Sequence, residues 1–345
     1  MAGIHVNWRA MESSDEPLAP AADRTARPTG PQSRSALRFI FFNERELRAG
    51  WRLLLYFLMA YALAFLLSRL ARAGGGIPPT LTPGFVVLQE LGLLIIFLVP
   101  AVIMAGIERR TLADYGLPLR LRPAWRSNFW IGTAWGVISL TFLLLVLRIN
   151  RAFLFGTITI DAKDAVRYAL TWVLAFLLVG ITEEFTFRGY VLFTLTSGLR
   201  FLRSYWGFAI AAIVTSLLFG LAHTGTGNTG ETLVGIGTVV AIGLFFAFTL
   251  WRTGSLWFAI GFHASWDWAQ TFLYGVPNSG VVAKGHLLNP TIQGSSWYSG
   301  GTVGPEGSML MYPLIVVMVL IFYRTMPKST YPAADVSEAL PRQDF

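Results

Sequence analysis

The stretch ALTWVLAFLLVGITEEFTFRGYVLFTL, residues 169–195, reads as an apolar helix that carries Glu183, Glu184 and Arg188 where a membrane segment should carry hydrocarbon. An ionised side chain near the bilayer centre costs about 2.5 to 3.5 kcal/mol on insertion scales. Three such groups within six residues need partners, a water-filled cavity or a chemical role, and the rest of the chain is read for what supplies them.

At 345 residues, with 54% hydrophobic and only 13% charged residues, the chain is too apolar for a soluble protein of its size. Apolar runs of about 20 residues match a hydrocarbon core about 30 Å thick, and they lack the alternation of an outer-membrane barrel. The expected class is therefore all-α: a polytopic membrane helix bundle with about eight transmembrane helices. The candidate spans are 51–71, 83–107, 129–147, 169–195, 206–222, 232–250, 256–273 and 309–323. Residues 1–36 read as a disordered, polar N-terminal tail with no apolar signal-peptide core. The bundle is expected over 37–325, opened by an amphipathic lead-in at 37–50, and a disordered C-terminal tail over 326–345.

The net charge of +8 does not point to nucleic acid, because the arginines cluster beside the apolar runs and in the N-terminal tail, where they report topology. Arg45 and Arg48, Arg109 and Arg110, Arg120 to Arg126, Arg200 and Arg203, Arg252 and Arg324 all fall on one side of an alternating bundle. That side is expected to be cytoplasmic, with both termini inside a multi-pass protein of the cell membrane. The chain has no cysteine, which excludes disulfides, thiolate metal sites and a cysteine nucleophile.

Further ionisable residues lie in the later apolar runs. Glu184 and Arg188 are four apart and share a helix face, whereas Glu183 points about 100° away from Glu184. The simplest assignment pairs Glu184 with Arg188 and leaves Glu183 facing elsewhere, a desolvated carboxylate able to act as a general base on water. A purely structural ion cluster at the helix end is the alternative. His223 follows Phe219 by four residues in LLFGLAHTG, and His263 and Asp267 share one face in AIGFHASWDWAQ. An Asp one turn from a His accepts its ring N–H and fixes its tautomer, unless the pair merely packs helices together. Burying these groups on separate helices is economical only if they meet in one polar cavity. Glycines at 235, 237, 243, 254 and 261 would let the later helices approach closely. Trp257, Trp266 and Trp268 read as packing and interface anchors.

In this order, Glu183-Glu184-x-x-x-Arg188, Phe219-x-x-x-His223 and His263-x-x-x-Asp267 resemble the signature of the CPBP intramembrane proteases, which include the type II CAAX prenyl endopeptidases. The resemblance covers about 170–270. It implies that Glu183 activates the attacking water with support from Glu184 and Arg188, that His223 helps bind that water or a metal, and that His263 with residue 267 steadies the oxyanion or a metal. The family commonly carries asparagine where this chain has Asp267. An ionised Asp donates no hydrogen bond to an oxyanion, so Asp267 is either protonated, orienting His263, or ligating a metal.

Two chemistries fit the set: a divalent metal such as zinc held by His223 and His263 with Glu183, or metal-free hydrolysis with Glu183 deprotonating water directly. HExxH is absent, so no conventional zincin site is expected. The leading reading is an endopeptidase acting on a membrane-associated peptide or protein within the lipid bilayer. The competitors are a non-catalytic immunity-type or scaffolding protein, and an ion-coupled transporter, since intramembrane Glu and His also form relays. One geometric condition must be met. A helix that starts near Trp206 carries His223 about 25 Å deeper, so Glu183 reaches it if its own helix continues in the membrane through Leu195, the preferred reading because 185–195 is largely apolar, or if the His223 helix is tilted or begins farther outside the bilayer.

Overall fold

A computed structural model describes residues 40–43, 46–73, 82–119, 123–202, 204–224 and 233–326. The expected N-terminal tail, and all of the expected C-terminal tail but Met326, lie outside the described residues. The helices are α1 (Ala49–Ala73), α2 (Pro83–Glu108), α3 (Pro123–Ile149), α4 (Ala162–Gly198), α5 (Ser204–Ala222), α6 (Leu233–Thr253), α7 (Trp257–Trp268) and α8 (Met311–Thr325). Two strands, β1 (Phe153–Ile158) and β2 (Leu288–Ile292), complete the larger elements.

All eight expected apolar runs form helices, but only six, α1 to α6, are long and apolar enough to cross a membrane. The other two are short for physical reasons. The 15 residues of α8 rise about 22 Å at 1.5 Å each, less than the hydrocarbon core. Helix α7 is the central post of the bundle, with Phe258, Ala259, Ile260 and Phe262 almost wholly buried, so protein rather than lipid surrounds it. Its most extensive contact is with α3, and it also packs along α4.

The α3–α7 contact is close because neither helix places a side chain there. A Cβ on Gly132 or Gly136 would collide with the α7 carbonyls of Phe258 or Phe262, and one on Gly261 with the carbonyl of Phe129. The Ser265 hydroxyl crosses the gap to donate to the Thr133 carbonyl at 2.9 Å. Small residues of this kind let membrane helices gain dispersion energy where hydrophobic burial offers no advantage over lipid. Gly261 was legible as such a contact point; Gly132 and Gly136 were not singled out.

Helix starts obey local chemistry. Asp161 caps α4 by accepting from the Asp164 backbone N–H at 2.8 Å, and Thr82 caps α2 ahead of Pro83. At the arginine-rich end, Arg52 is buried and pairs with Glu108 at 2.8 Å, Arg110 pairs with Glu46 at 2.7 Å, Tyr190 donates to Glu108 at 3.0 Å, and Arg52 also bonds Ser197. These contacts tie α1, α2 and α4 together; of the residues in them only Arg110 was read from the sequence, as a topology marker, and Arg52 was not singled out. The same end holds Arg252 bonded to the Tyr323 carbonyl, joining α6 to α8.

The opposite end is where the sequence reading was least informative. The Gly/Ser/Pro-rich stretch 275–307 is folded. Its β2 pairs antiparallel with β1, from Phe153 opposite Ile292 to Ile158 opposite Leu288, with a register shift between Leu154 and Thr157. Gly156, at φ +71°, sits in that shift with the Asn289 carbonyl where a Cβ would be. This small sheet was not expected, and it leaves the helical class unchanged. A substitution at the α3–α7 seam should be costly: Gly261→Val forces backbone apart and is expected to destabilise by about 1–3 kcal/mol. The check is a lower melting temperature of the detergent-solubilised protein than for Gly50→Val, where nothing lies within 4 Å of the added carbon.

Candidate active site

Helix α4 runs unbroken from residue 162 to 198, through Leu195, so Glu183 lies far from either end of it. Directly after Glu184 the helix widens into a π segment, Phe185–Val191. Such widened turns are uncommon and concentrate at functional sites because they re-aim side chains without ending the helix. Here the widened turn carries Arg188, whose side chain is wholly buried.

Arg188 Nη1 lies 3.2 Å from Glu184 Oε1, and neither side chain is exposed. The guanidinium also rests 3.9 Å above the Phe219 ring of α5 and near Phe246 of α6. Room for it is made by Gly243, where a Cβ would strike Arg188 Nη2 and Ser216. This glycine therefore accommodates a cation; it was expected only to bring helices together. A charge buried this way is tolerable only with its partner in place.

Glu184 has a second partner. Its Oε1 accepts from His263 Nδ1 at 2.9 Å, across from α4 to α7. A carboxylate held by Arg188 only accepts hydrogen bonds, so this contact places the ring proton on Nδ1 and turns Nε2 the other way. The His263 ring is held flat by Phe246, at 5.8 Å and 24° between planes. His263 Nε2 then faces Glu183 Oε2 at 3.7 Å and Asp267 Oδ2 at 3.5 Å. The residue that orients His263 through its Nδ1 proton is thus Glu184, and Asp267 stands on the reactive side of the ring.

Glu183 is turned as its 100° offset requires. Its side chain is 30% exposed, it lines an open cavity, and its Oε2 has no hydrogen-bond partner among the described residues. His223, at the end of α5, reaches the same cavity. Its Nδ1 engages the Phe219 carbonyl at 2.8 Å and its ring stands edge-on to Phe219 at 4.5 Å. Phe219 also stands edge-on to His263 at 6.4 Å, so one aromatic ring spaces the two imidazoles. The six residues singled out in the sequence are brought together: Glu183, His223, His263 and Asp267 on the cavity, Glu184 and Arg188 immediately behind it.

The cavity encloses about 510 Å³. Trp172, Phe176, Val179 and Ile242 give it apolar wall, and Glu183, His223, His263 and Asp267 line it together with Gln270 and Glu306. Among the described residues, no group of three or more His, Asp or Glu side chains is set to hold a metal ion. The trio His223, His263 and Glu183 shares the cavity without forming a ligand set.

Several neighbours were not read from the sequence. Gln270 lines the cavity, accepts from Trp266 Nε1 at 2.7 Å, and bonds Glu306 of the 275–307 segment. Spacing gave a usable signal, since 263, 267 and 270 fall on one helical face. Glu90 of α2 lies within electrostatic reach of Glu183 and Asp267, and as a carboxylate inside an apolar run it had the same signature as Glu183. Glu306, in an irregular segment, had none. His286 bonds the Ala283 carbonyl at 2.7 Å and stands outside the cavity lining.

A comparison with protein families matches residues 165–269 to the family described as type II CAAX prenyl endopeptidase Rce1-like. No curated protein and no solved structure matches the chain. The matched segment begins in the first turns of α4 and ends just past Asp267, so it contains Glu183, Glu184, Arg188, His223, His263 and Asp267 but neither Glu90 nor Glu306. The similarity to this family therefore coincides with the part of the membrane helix bundle that builds the cavity's acid and imidazole cluster.

Proposed function

We propose that the protein is an intramembrane endopeptidase of the CPBP type that hydrolyses a peptide bond in a membrane-associated peptide or protein, with Glu183 activating the attacking water. The observation that carries this reading is the meeting of Glu183 with His263, His223 and Asp267 in one cavity, backed by a buried Glu184–Arg188 pair. The protein sits in the cell membrane with both termini cytoplasmic, as the arginine distribution favours.

The geometry supports the following chemistry. Between Glu183 Oε2 and His263 Nε2, 3.7 Å apart, a water displacing the direct contact would give its proton to Glu183 as its oxygen attacks the substrate carbonyl. The new C–O bond makes a tetrahedral oxyanion. Glu183 then passes the proton to the departing amide nitrogen as the C–N bond breaks, leaving a carboxylic acid and an amine. Donors are needed where the oxyanion grows. His223 and His263 line the cavity at that point, and ionised Asp267, 3.5 Å from His263 Nε2, favours the protonated imidazole that can donate. This gives Asp267 a role that does not require it to donate itself. Because the donors as placed do not form a metal-ligand set, no step is routed through a metal.

Glu184 and Arg188 act through His263. Removing Arg188 leaves a buried carboxylate without its cation, a change that typically costs about 3–5 kcal/mol.

Three outcomes are expected. With purified protein in lipid vesicles and a membrane-tethered peptide reporter, Glu183→Gln should lower kcat/KM by about 10²–10⁴-fold while the elution profile and melting temperature stay near those of the parent. Retained cleavage in Glu183→Gln would refute the role given to Glu183, whereas absent cleavage in the parent with cellular function left intact by Glu183→Gln would favour the scaffolding or immunity-type alternative. Arg188→Met should show the opposite balance, with a large fall in melting temperature preceding any measurable kinetic effect. Dialysis against a strong chelator should leave reporter cleavage unchanged, and elemental analysis should find far less than one zinc per chain; stoichiometric zinc lost on His223→Ala would establish the metal mechanism.

A further inference from the structure

Asp267 needs a holder of its own, because Glu184 takes the Nδ1 side of His263 and leaves Asp267 facing Nε2. Directly after α7 the chain widens into a second π segment, Ala269–Leu273, which carries Gln270 and Thr271 onto the cavity wall. Beyond it the chain turns back on itself. Asn278 and Val281 exchange backbone hydrogen bonds at 3.0 and 2.9 Å, and the two residues between them, Ser279 and Gly280, sit at φ +47° and +78°. Two positive φ values in succession make the tight two-residue turn of a hairpin.

This turn is clamped. Glu306 accepts from the Ser279 backbone N–H at 2.6 Å, and the Gly280 N–H bonds the Val303 carbonyl at 2.8 Å. Gln270 spends its amide protons on the same frame, one on the Pro277 carbonyl at 2.6 Å and one on Glu306, while its oxygen accepts from Trp266 Nε1 at 2.7 Å. Support of this kind keeps a side chain within the tolerance that a reaction centre requires.

The side chain so presented is that of Asn278. It lines the cavity, its Nδ2 donates to Thr271 Oγ1 at 3.2 Å, and its carboxamide comes within hydrogen-bonding reach of Asp267. The titratable groups that face Asp267 are Glu90 of α2, Glu183 of α4, His223 of α5 and His263 of α7. Two of them are carboxylates, which oppose its charge. Of all these neighbours, the Asn278 amide is the one that donates without titrating.

We propose that Asn278 is a positioning residue of the active site, whose amide holds the Asp267 carboxylate ionised and turned toward His263 Nε2. The 275–307 segment, outside the matched region 165–269, thereby completes a reaction centre whose other members lie within that region. The kinetic consequence rests on the peptidase reading, whereas the coupling of Asn278 to His263 through Asp267 stands apart from it.

A double-mutant cycle over Asn278→Ala and Asp267→Asn tests this, because residues that act through one another are not additive. With Asp267 present, Asn278→Ala should lower kcat for the tethered reporter by about 10–100-fold, the worth of a hydrogen bond to a charged group, with KM and melting temperature near those of the parent. With Asp267→Asn, where no carboxylate remains to be held, the same change should alter kcat by less than about threefold. No loss in the first background, or an equal loss in both, overturns the proposal. The same four proteins carrying 15N-labelled histidine give a readout that needs no catalysis. Asn278→Ala should move the His263 ring resonances, assigned by their loss in His263→Gln, when Asp267 is present and leave them in place in Asp267→Asn, with His286 of the same segment unmoved. His263 resonances that stay in place in both backgrounds, or move equally in both, overturn the proposal whether or not the protein cleaves. Absent cleavage in the parent, with the resonances moving as expected, counts against the peptidase reading alone. Asn278→Leu, which keeps the volume and removes the donor, takes the place of Asn278→Ala should that variant fail to fold.

Discussion

The constraint on which the structure depends is the cost of keeping Arg188 and the carboxylates of Glu183, Glu184 and Asp267, with Glu90 close by, inside an apolar bundle. Glu184 answers it by serving two partners at once: Arg188 in its own helix and His263 across the α4–α7 contact. That shared carboxylate neutralises the cation, chooses the imidazole tautomer and sets the distance between two helices. Phe219 and Phe246 close around the pair, so aromatic faces meet the cation beside its counter-ion, while its Nε and Nη2 have no hydrogen-bond partner among the described residues. Because these roles fall on one side chain, the site and the fold are not separable here, and neighbouring features can be understood as making room for it. Gly243 is small because the guanidinium needs the space, and the π segment brings Arg188 into line without interrupting α4.

Around this cluster the bundle is rigid where it must be. The glycine-lined α3–α7 seam holds the helix bearing His263 and Asp267 against a long neighbour. The charged network of Arg52, Glu108, Arg110 and Tyr190 fixes α1 and α2 to the far end of α4. At the cavity mouth the chain relies on a two-stranded ladder and on the Gln270–Glu306 contact to shape an irregular segment. Regular helices thus hold the reactive groups, and non-helical backbone borders the opening, where membrane proteins tolerate it.

Much of this was readable from residue spacing. Positions four apart placed Glu184 with Arg188 and His263 with Asp267, and the cost of burying charge argued that separate helices must converge. The helical class followed from apolar run length. What spacing could not supply was partner choice across helices: Asp267 was the natural orienter of His263 from one turn away, yet Glu184, 79 residues distant in sequence, takes that hydrogen bond. Length alone also overstated the membrane spans, since α7 is apolar because protein surrounds it. The segment 275–307, rich in glycine, serine and proline, carried a composition of loops, and its fold depends on pairing with β1, more than a hundred residues earlier. Glu90 shows a different failure, for its signal was present in an apolar run and was not weighed with the others.

The ion pair's spacing of four within a single helix also bears on how the chain is made. His263 leaves the ribosome 79 residues after Glu184, a delay of about 4–16 s at ordinary elongation rates. During that interval α4 must partition into lipid without its eventual imidazole partner. A cation and an anion one turn apart can neutralise each other as soon as the helix winds, so the translocon receives a segment whose net burden is roughly that of one acid, Glu183. The assembled protein's most buried ion pair is therefore also one that travels already matched.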